Sequence, residues 1–189
     1  MTTKKLLAAA WVTAMVALTA CGDKGGDNVA QPETQAAKEA AGDQTITAGL
    51  GDATKFAAAS KQAGLDATLA GPGPYTVLVP TDAAFDKLPA GALDTLMKPE
   101  ARSDLTAVLT YHILPGTILA EDIGKAIDAG KGKVQLPTMA GGTLTAAREG
   151  VAIVLTDGAG TKAKLVSAEE KKSNGVIHRV DSVLMPSKA

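Results

Sequence analysis

Tyr111 and His112 stand side by side in the stretch LTYHILPG, Leu109 to Gly116. Together with His178 they are the side chains best suited to chemistry near neutral pH. An imidazole titrates close to pH 7 and serves as general base or metal ligand, and a phenol both donates and accepts. The chain has two histidines and one cysteine, Cys21. Two imidazoles without cysteine partners do not make the four-ligand set of a structural zinc site, so no metal is expected. A catalytic triad needs a nucleophile oriented by its base, and no G-x-S-x-G elbow is present. In GKAIDAGKGK five residues separate Gly124 from Gly130, and Gly132 follows Lys131. A phosphate loop needs four residues there, and a Ser or Thr after the lysine. Asp157 opens DGAG but lacks the alternating oxygen ligands of a calcium loop. Both stretches read as turns. No enzymatic activity and no cofactor are expected.

The elements that position these residues decide between a site and a framework. His112 follows Leu109, Val108 and Leu105 at three, four and seven residues back, which places all four on one helical face. It continues an apolar stripe where a helix gives way to a strand, so it reads as a framework histidine that donates to a backbone carbonyl or a carboxylate. Tyr111 is expected to point outward with its hydroxyl at the rim. His178 alternates with Val176 and Val180 in GVIHRV and faces inward. Asp181 falls on the other face, which argues against a His178–Asp181 pair.

Helical signals fill the first half of the chain. DATKFAAASKQAGL gathers Phe56, Ala59, Ser60 and Ala63 on one side and stops at Gly64; in PTDAAFDKLP, Thr81 is an N-cap with Asp82 in the first turn. KPEARSDLTAVLTYHIL starts at Pro99, and ILAEDIGKAIDAG ends at Gly130. The second half switches period. KVQL, GTLTAA, VAIVL, AKLVS, GVIHRV and SVLMP are short β-branched runs between glycine-rich turns, and YTVLVP is a strand among the helices. An α+β fold follows, with a β-sandwich or barrel-like core and helices gathered to one side.

The N-terminal segment points to export. Lys4 and Lys5 precede LLAAAWVTAMVAL, an uncharged run too short to span a bilayer, followed by small residues. LTAC, Leu18 to Cys21, resembles the lipobox of bacterial lipoproteins, with an ordinary signal peptide and an incidental cysteine as the alternative. The expectation is a signal peptide over residues 1–20, a lipidated, disordered tether over 21–44 and one domain over 45–187. Lipidation at Cys21 would hold the domain to a membrane, and Gly22 after the cysteine resembles sorting to the outer membrane of Gram-negative cells, on either its periplasmic or its exposed side. Cleavage takes two of the 19 basic residues and none of the 20 acidic ones, a net charge of −3. That balance offers no basic face for nucleic acid, and the four remaining aromatics, Phe56, Tyr75, Phe85 and Tyr111, are too few for stacking platforms.

Three stretches, GPGPYTVLVPTDAAFDKLP, LTYHILPG and NGVIHRVDSVLMP, resemble in order and spacing the signature segments of the fasciclin domain. The likeness covers essentially residues 45–187. It implies a wedge-shaped β-sandwich core with several helices packed along one edge, and Thr81, Asp82, Phe85, Asn174, Gly175, His178 and Asp181 as structural motif residues. It also implies a role in adhesion or contact with matrix and surface proteins, with a periplasmic envelope module as the alternative. In animal relatives the Tyr-His pair and Asp-Ile segments are implicated in receptor contact, which makes Tyr111, His112, Asp122 and Ile123 candidate partner-binding residues. Asp122 is equally suited to the first turn of a helix. The chain departs from the family pattern at Glu170 and Arg179, both at positions where an aliphatic residue is usual. Arg179 is expected to lay its stem on the surface and keep its head in water.

Overall fold

The computed structural model describes residues 42–186. Residues 1–41, where the sequence leads one to expect a signal peptide, Cys21 and most of a tether, lie outside the described residues. Six helices, α1 (Thr54–Ala63), α2 (Asp66–Ala70), α3 (Asp82–Asp86), α4 (Ala92–Leu96), α5 (Arg102–Tyr111) and α6 (Ala120–Ala129), combine with eight strands. The strands are β1 (Tyr75–Pro80), β2 (Ile113–Pro115), β3 (Lys133–Pro137), β4 (Thr143–Glu149), β5 (Ala152–Thr156), β6 (Lys162–Lys164), β7 (Glu170–Lys172) and β8 (Gly175–Val180). One sheet has the order β2-β1-β8-β7 and the other β3-β4-β5-β6. The second sheet is an antiparallel meander. In the first, β1 and β8 run parallel across nearly a hundred residues, in the register Val77 to Ile177 and Leu78 to His178. The fold is α+β, as the sequence predicts.

Alternation along β1 sorts its side chains between two cores. Val77 and Val79, with Ile177 of β8, meet Ile46, Leu50, Phe56, Ala59, Leu105 and Leu109 from the helical side. Leu78, on the opposite face, joins Leu114, Val180, Leu144, Ala146, Leu155 and the α6 residues Ile123 and Ile127 between the sheets. All six residues of β8 are buried, as befits a strand covered on both faces.

Local sequence sets the helix ends. Gly64 closes α1 in the left-handed conformation, φ +79°, donating to the carbonyls of Lys61 and Ser60. Thr81 caps α3, its hydroxyl accepting from Ala84 N–H. Pro99 opens a 3-10 turn, Pro99–Ala101, that leads directly into α5.

Three expectations need correction. SVLMP forms no strand: Ser182–Pro186 buries Val183 and Leu184 but joins neither sheet. Gly124 lies inside α6, in keeping with the helix read over ILAEDIGKAIDAG and against the turn read over GKAIDAGKGK, which is a helix followed by a tight turn. Gln44, assigned to the tether, accepts a backbone hydrogen bond from Ser173, so the chain is already docked beside β7 there.

Candidate functional site

His112 sits at the C-terminal end of α5 and is 1% exposed. Its Nδ1–H donates to Val108 O, four residues back, at 2.8 Å, and its Nε2 accepts from Leu184 N–H at 3.1 Å. The edge of the Phe56 ring packs against it, with centroids 6.3 Å apart. Burial pushes its pKa down to about 4, against smaller opposing contributions from Val108 and Asp157. It is therefore a neutral imidazole with both nitrogens engaged by backbone.

Tyr111 does not point to the rim. It is 2% exposed, and its hydroxyl donates to Thr143 O at 3.0 Å while accepting from Gly158 N–H at 3.3 Å. The apolar inter-sheet core takes the ring, because a phenol whose hydroxyl finds two backbone partners can be buried without losing its hydrogen bonds. Burial raises its pKa. Tyr111 and His112 thus adjoin in sequence but reach different segments: the β4 and β5–β6 turn region for Tyr111, the C-terminal segment for His112.

The other candidates are equally structural in position. Ile123 is buried in the inter-sheet core. Asp122 is exposed at the start of α6, where its Oδ2 accepts from Leu119 N–H. His178 is fully buried, and its Nε2–H donates to Ile118 O at 2.8 Å while Nδ1 has no partner. Asp181 takes Lys164 N–H and the Lys87 ammonium, so no His178–Asp181 pair forms. Phe85 packs into the helix-side core.

Asn174 and Gly175 explain their own motif. The Asn174 side chain accepts from Ile46 N–H and donates to Leu69 O and Gly71 O, all at 2.8 Å. One amide thereby ties Ile46 and the Leu69–Gly71 stretch to the head of β8. Gly175 has φ +152°, and a Cβ there would collide with the carbonyl of Tyr75.

Sequence reasoning missed the partners of two carboxylates. Asp82, placed at the head of α3, reaches across to α1, accepting from Thr54 Oγ1 at 2.6 Å and Lys55 N–H at 3.0 Å. It caps α1, whose own N-cap residue Ala53 supplies no side-chain bond. Those bonds from Thr54 and Lys55 hold its pKa below the usual carboxylate range. Glu169 likewise accepts from Ala120 N–H at the head of α6, at 2.6 Å. Neither contact has a local signal, since 27 and 49 residues separate the partners.

Arg179 is the larger correction. Its side chain is 7% exposed, with Nε on Glu170 Oε1 at 2.8 Å, and Nη2 on Asp52 Oδ1 at 2.5 Å and on Gly49 O at 3.0 Å. The head is not in water, because β8 is covered on both faces.

Among the described residues, no group of three or more His, Cys, Asp and Glu side chains is placed to hold a metal. No described helix is long and apolar enough to cross a membrane. A shallow depression of about 200 Å³ between Lys55, Phe85, Leu88, Pro89 and Leu93 contains neither histidine.

The sequence model for the fasciclin domain matches residues 51–186. Protein sll1483 of Synechocystis is 36% identical over 142 residues, spanning 75% of this chain and 71% of that protein. The cell surface glycolipoprotein MPB83 of Mycobacterium bovis is 35% identical over 114 residues, 60% of this chain and 44% of the relative. In structure, the chain resembles a FAS1 domain pair from the insect cell adhesion molecule fasciclin I, with a TM-score of 0.55 at 21% identity, covering 71% of this chain and 45% of the other. With two four-stranded sheets, a buried Tyr-His pair and an Asn-Gly staple in the matched region, the chain belongs to the fasciclin domain family.

Proposed function

We propose that this protein is a non-catalytic, lipid-anchored, extracytoplasmic fasciclin-domain protein that makes adhesive contacts with matrix or surface proteins. Family membership carries the reading. The lipobox-like LTAC at Leu18–Cys21 supports the anchor, as does similarity to a relative described as a cell surface glycolipoprotein. Both imidazoles are buried, and each donates to a backbone carbonyl. Neither can approach a substrate, which supports a protein surface rather than a catalytic group as the working part.

Tyr111, His112 and Ile123 act in this reading from inside, by fixing the loops that contact a partner. Asp122 is the one of the four candidates with an exposed side chain. The anchor is Cys21 on the outer membrane.

Protease treatment of intact and lysed cells, followed by probing for the domain, tests the placement. Cleavage on intact cells supports an outward-facing adhesin. Survival until the envelope is opened overturns it in favour of a periplasmic envelope module. Cys21→Ala should move the protein from the membrane to the soluble fraction; retention on the membrane would remove the lipid anchor from the proposal. Deletion that leaves attachment and aggregation unchanged on every surface tried would count against adhesion.

A further inference from the structure

Ser182–Pro186 follows β8 but makes no ladder. The last ladder-like bonds before it are Val166 N–H to Arg179 O and Asp181 N–H to Lys164 O. Beyond Asp181 the segment is held in two ways. Val183 and Leu184, 4% and 0% exposed, enter different cores: Val183 the helix-side one, Leu184 the one between the sheets. Two buried side chains then take consecutive backbone donors. Leu184 N–H goes to His112 Nε2 at 3.1 Å and Met185 N–H to Asp157 Oδ2 at 2.9 Å.

His112 can accept that bond only as the neutral ring with its proton on Nδ1, which Val108 O secures. Adding a proton at Nε2 removes the acceptor and sets one N–H against another. The surroundings offer the new charge little. Helix α1 presents the Phe56 ring and α5 the Val108 carbonyl. From β1, Leu78 N–H binds the backbone carbonyl of His112, not its ring. The segment itself presents an N–H. Asp157, from the turn after β5, is the charged group that bears on the ring, and its oxygens are already taken by Ala159, Thr161 and Met185 N–H.

We propose that Ser182–Pro186 is an acid-released strap: protonation of His112 at Nε2 breaks its hold on Leu184, and the strap lifts as a unit, opening the seam that Val183 and Leu184 fill. Release needs no ladder bond to break, so the two sheets stay closed. It exposes apolar surface from both cores at one place.

The sign and size follow from linkage. The closed state keeps the ring near a pKa of about 4, and a ring freed into water returns to about 6.5. Closure is therefore fully favoured above the higher value and weakens as pH falls towards the lower one. Opening of the strap should rise about 30-fold between pH 7.5 and pH 5.

Amide hydrogen exchange on the purified protein, corrected for intrinsic rates, tests this. Leu184 and Met185 should show that increase, while Ile177 and Val180 in β8 and Leu109 in α5 do not. Strap amides that track β8 at both pH values, or that show no pH dependence, overturn the proposal. His112→Gln supplies an amide group with no titration in this range and should flatten the response; a retained 30-fold rise overturns it. If that variant does not fold, the wild-type ring decides. An imidazole titrating near pH 4 in step with strap exposure supports the proposal, and one titrating near 6.5 with the strap in place overturns it.

Discussion

Glu170 on β7 and Arg179 on β8 form a half-buried ion pair on the helix-facing side of the first sheet, Oε1 to Nε at 2.8 Å. Each supplies the partner the other needs. Lys172 adds a second cation on Glu170 Oε2 at 3.1 Å, and Asp52 a second anion on Arg179. Burial works to raise the Glu170 pKa, but the Arg179 and Lys172 charges outweigh it and hold the carboxyl below its usual range. The pair links the Gly49–Asp52 segment to the edge of the sheet.

Removing one partner of a buried pair strands the other. Arg179→Ala should lower unfolding free energy by about 3 kcal/mol. Glu170→Gln should cost less, about 1 kcal/mol, because a third of that side chain is exposed. Replacing both by valine should recover most of the loss, since a well-packed apolar pair often equals a buried ionic one. Urea denaturation of the singles and the double decides; strictly additive losses would show that the two charges are not coupled.

Asp82 should matter to α1 more than to the helix it belongs to. Asp82→Ala removes the acceptor for Thr54 Oγ1 and Lys55 N–H and should cost about 1 kcal/mol. Its pKa is lowered in the fold, so the contribution is present above the ordinary carboxylate value and disappears as pH falls through the lower folded value. The deficit of Asp82→Ala against wild type should therefore shrink in thermal melts below about pH 3.5. A deficit unchanged at pH 2.5 would contradict this role.

Asn174 is predicted to be intolerant in a pH-dependent way. Asn174→Ala leaves three backbone groups without partners and should cost about 3 kcal/mol. Asn174→Asp places a carboxylate against Leu69 O and Gly71 O, so it should be worse than alanine at pH 7 and partly recover near pH 4, where a protonated acid can donate to one of them. Melting temperatures of both variants at the two pH values test the assignment. An aspartate that is as stable as wild type at pH 7 would rule it out.

Ser60 should behave in the opposite sense. Its hydroxyl, on the buried face of α1, is 1% exposed and has no hydrogen-bond partner. Ser60→Ala removes an unsatisfied polar group and improves helix propensity, so it should stabilise by about 1 kcal/mol. A lower midpoint in urea would mean that the hydroxyl does find a partner in solution.

What was legible in the chain followed element by element. The Gly64 stop, the Thr81 cap and the apolar stripe through Leu105, Val108, Leu109 and His112 all depend on neighbours within a turn or two, and each stands where the pattern puts it. The inward direction of His178 follows from strand alternation for the same reason. Tyr111 escaped because aromatic residues with a polar tip suit a rim as well as a core, and only Thr143 and Gly158 decide between them. Strand β7 escaped because Glu-Lys-Lys carries no strand propensity; its pairing comes from β8 and its charges from Arg179.

By itself, the sequence determined the helix and strand periods, the caps and the buried faces. These are properties of residues two to four positions apart, where backbone geometry alone decides which side chains share a face. The tertiary structure alone decided where each polar group finds its partner: Asp82 on α1, Glu169 on α6, Asn174 on Ile46 at a separation of 128 residues, and Arg179 on Glu170. It also decided that Val183 and Leu184 fill two cores without joining a strand. An extended segment buried by packing and one buried in a ladder carry the same alternation of apolar residues. Only the position of the neighbouring backbone, set by contacts far away in the chain, tells them apart.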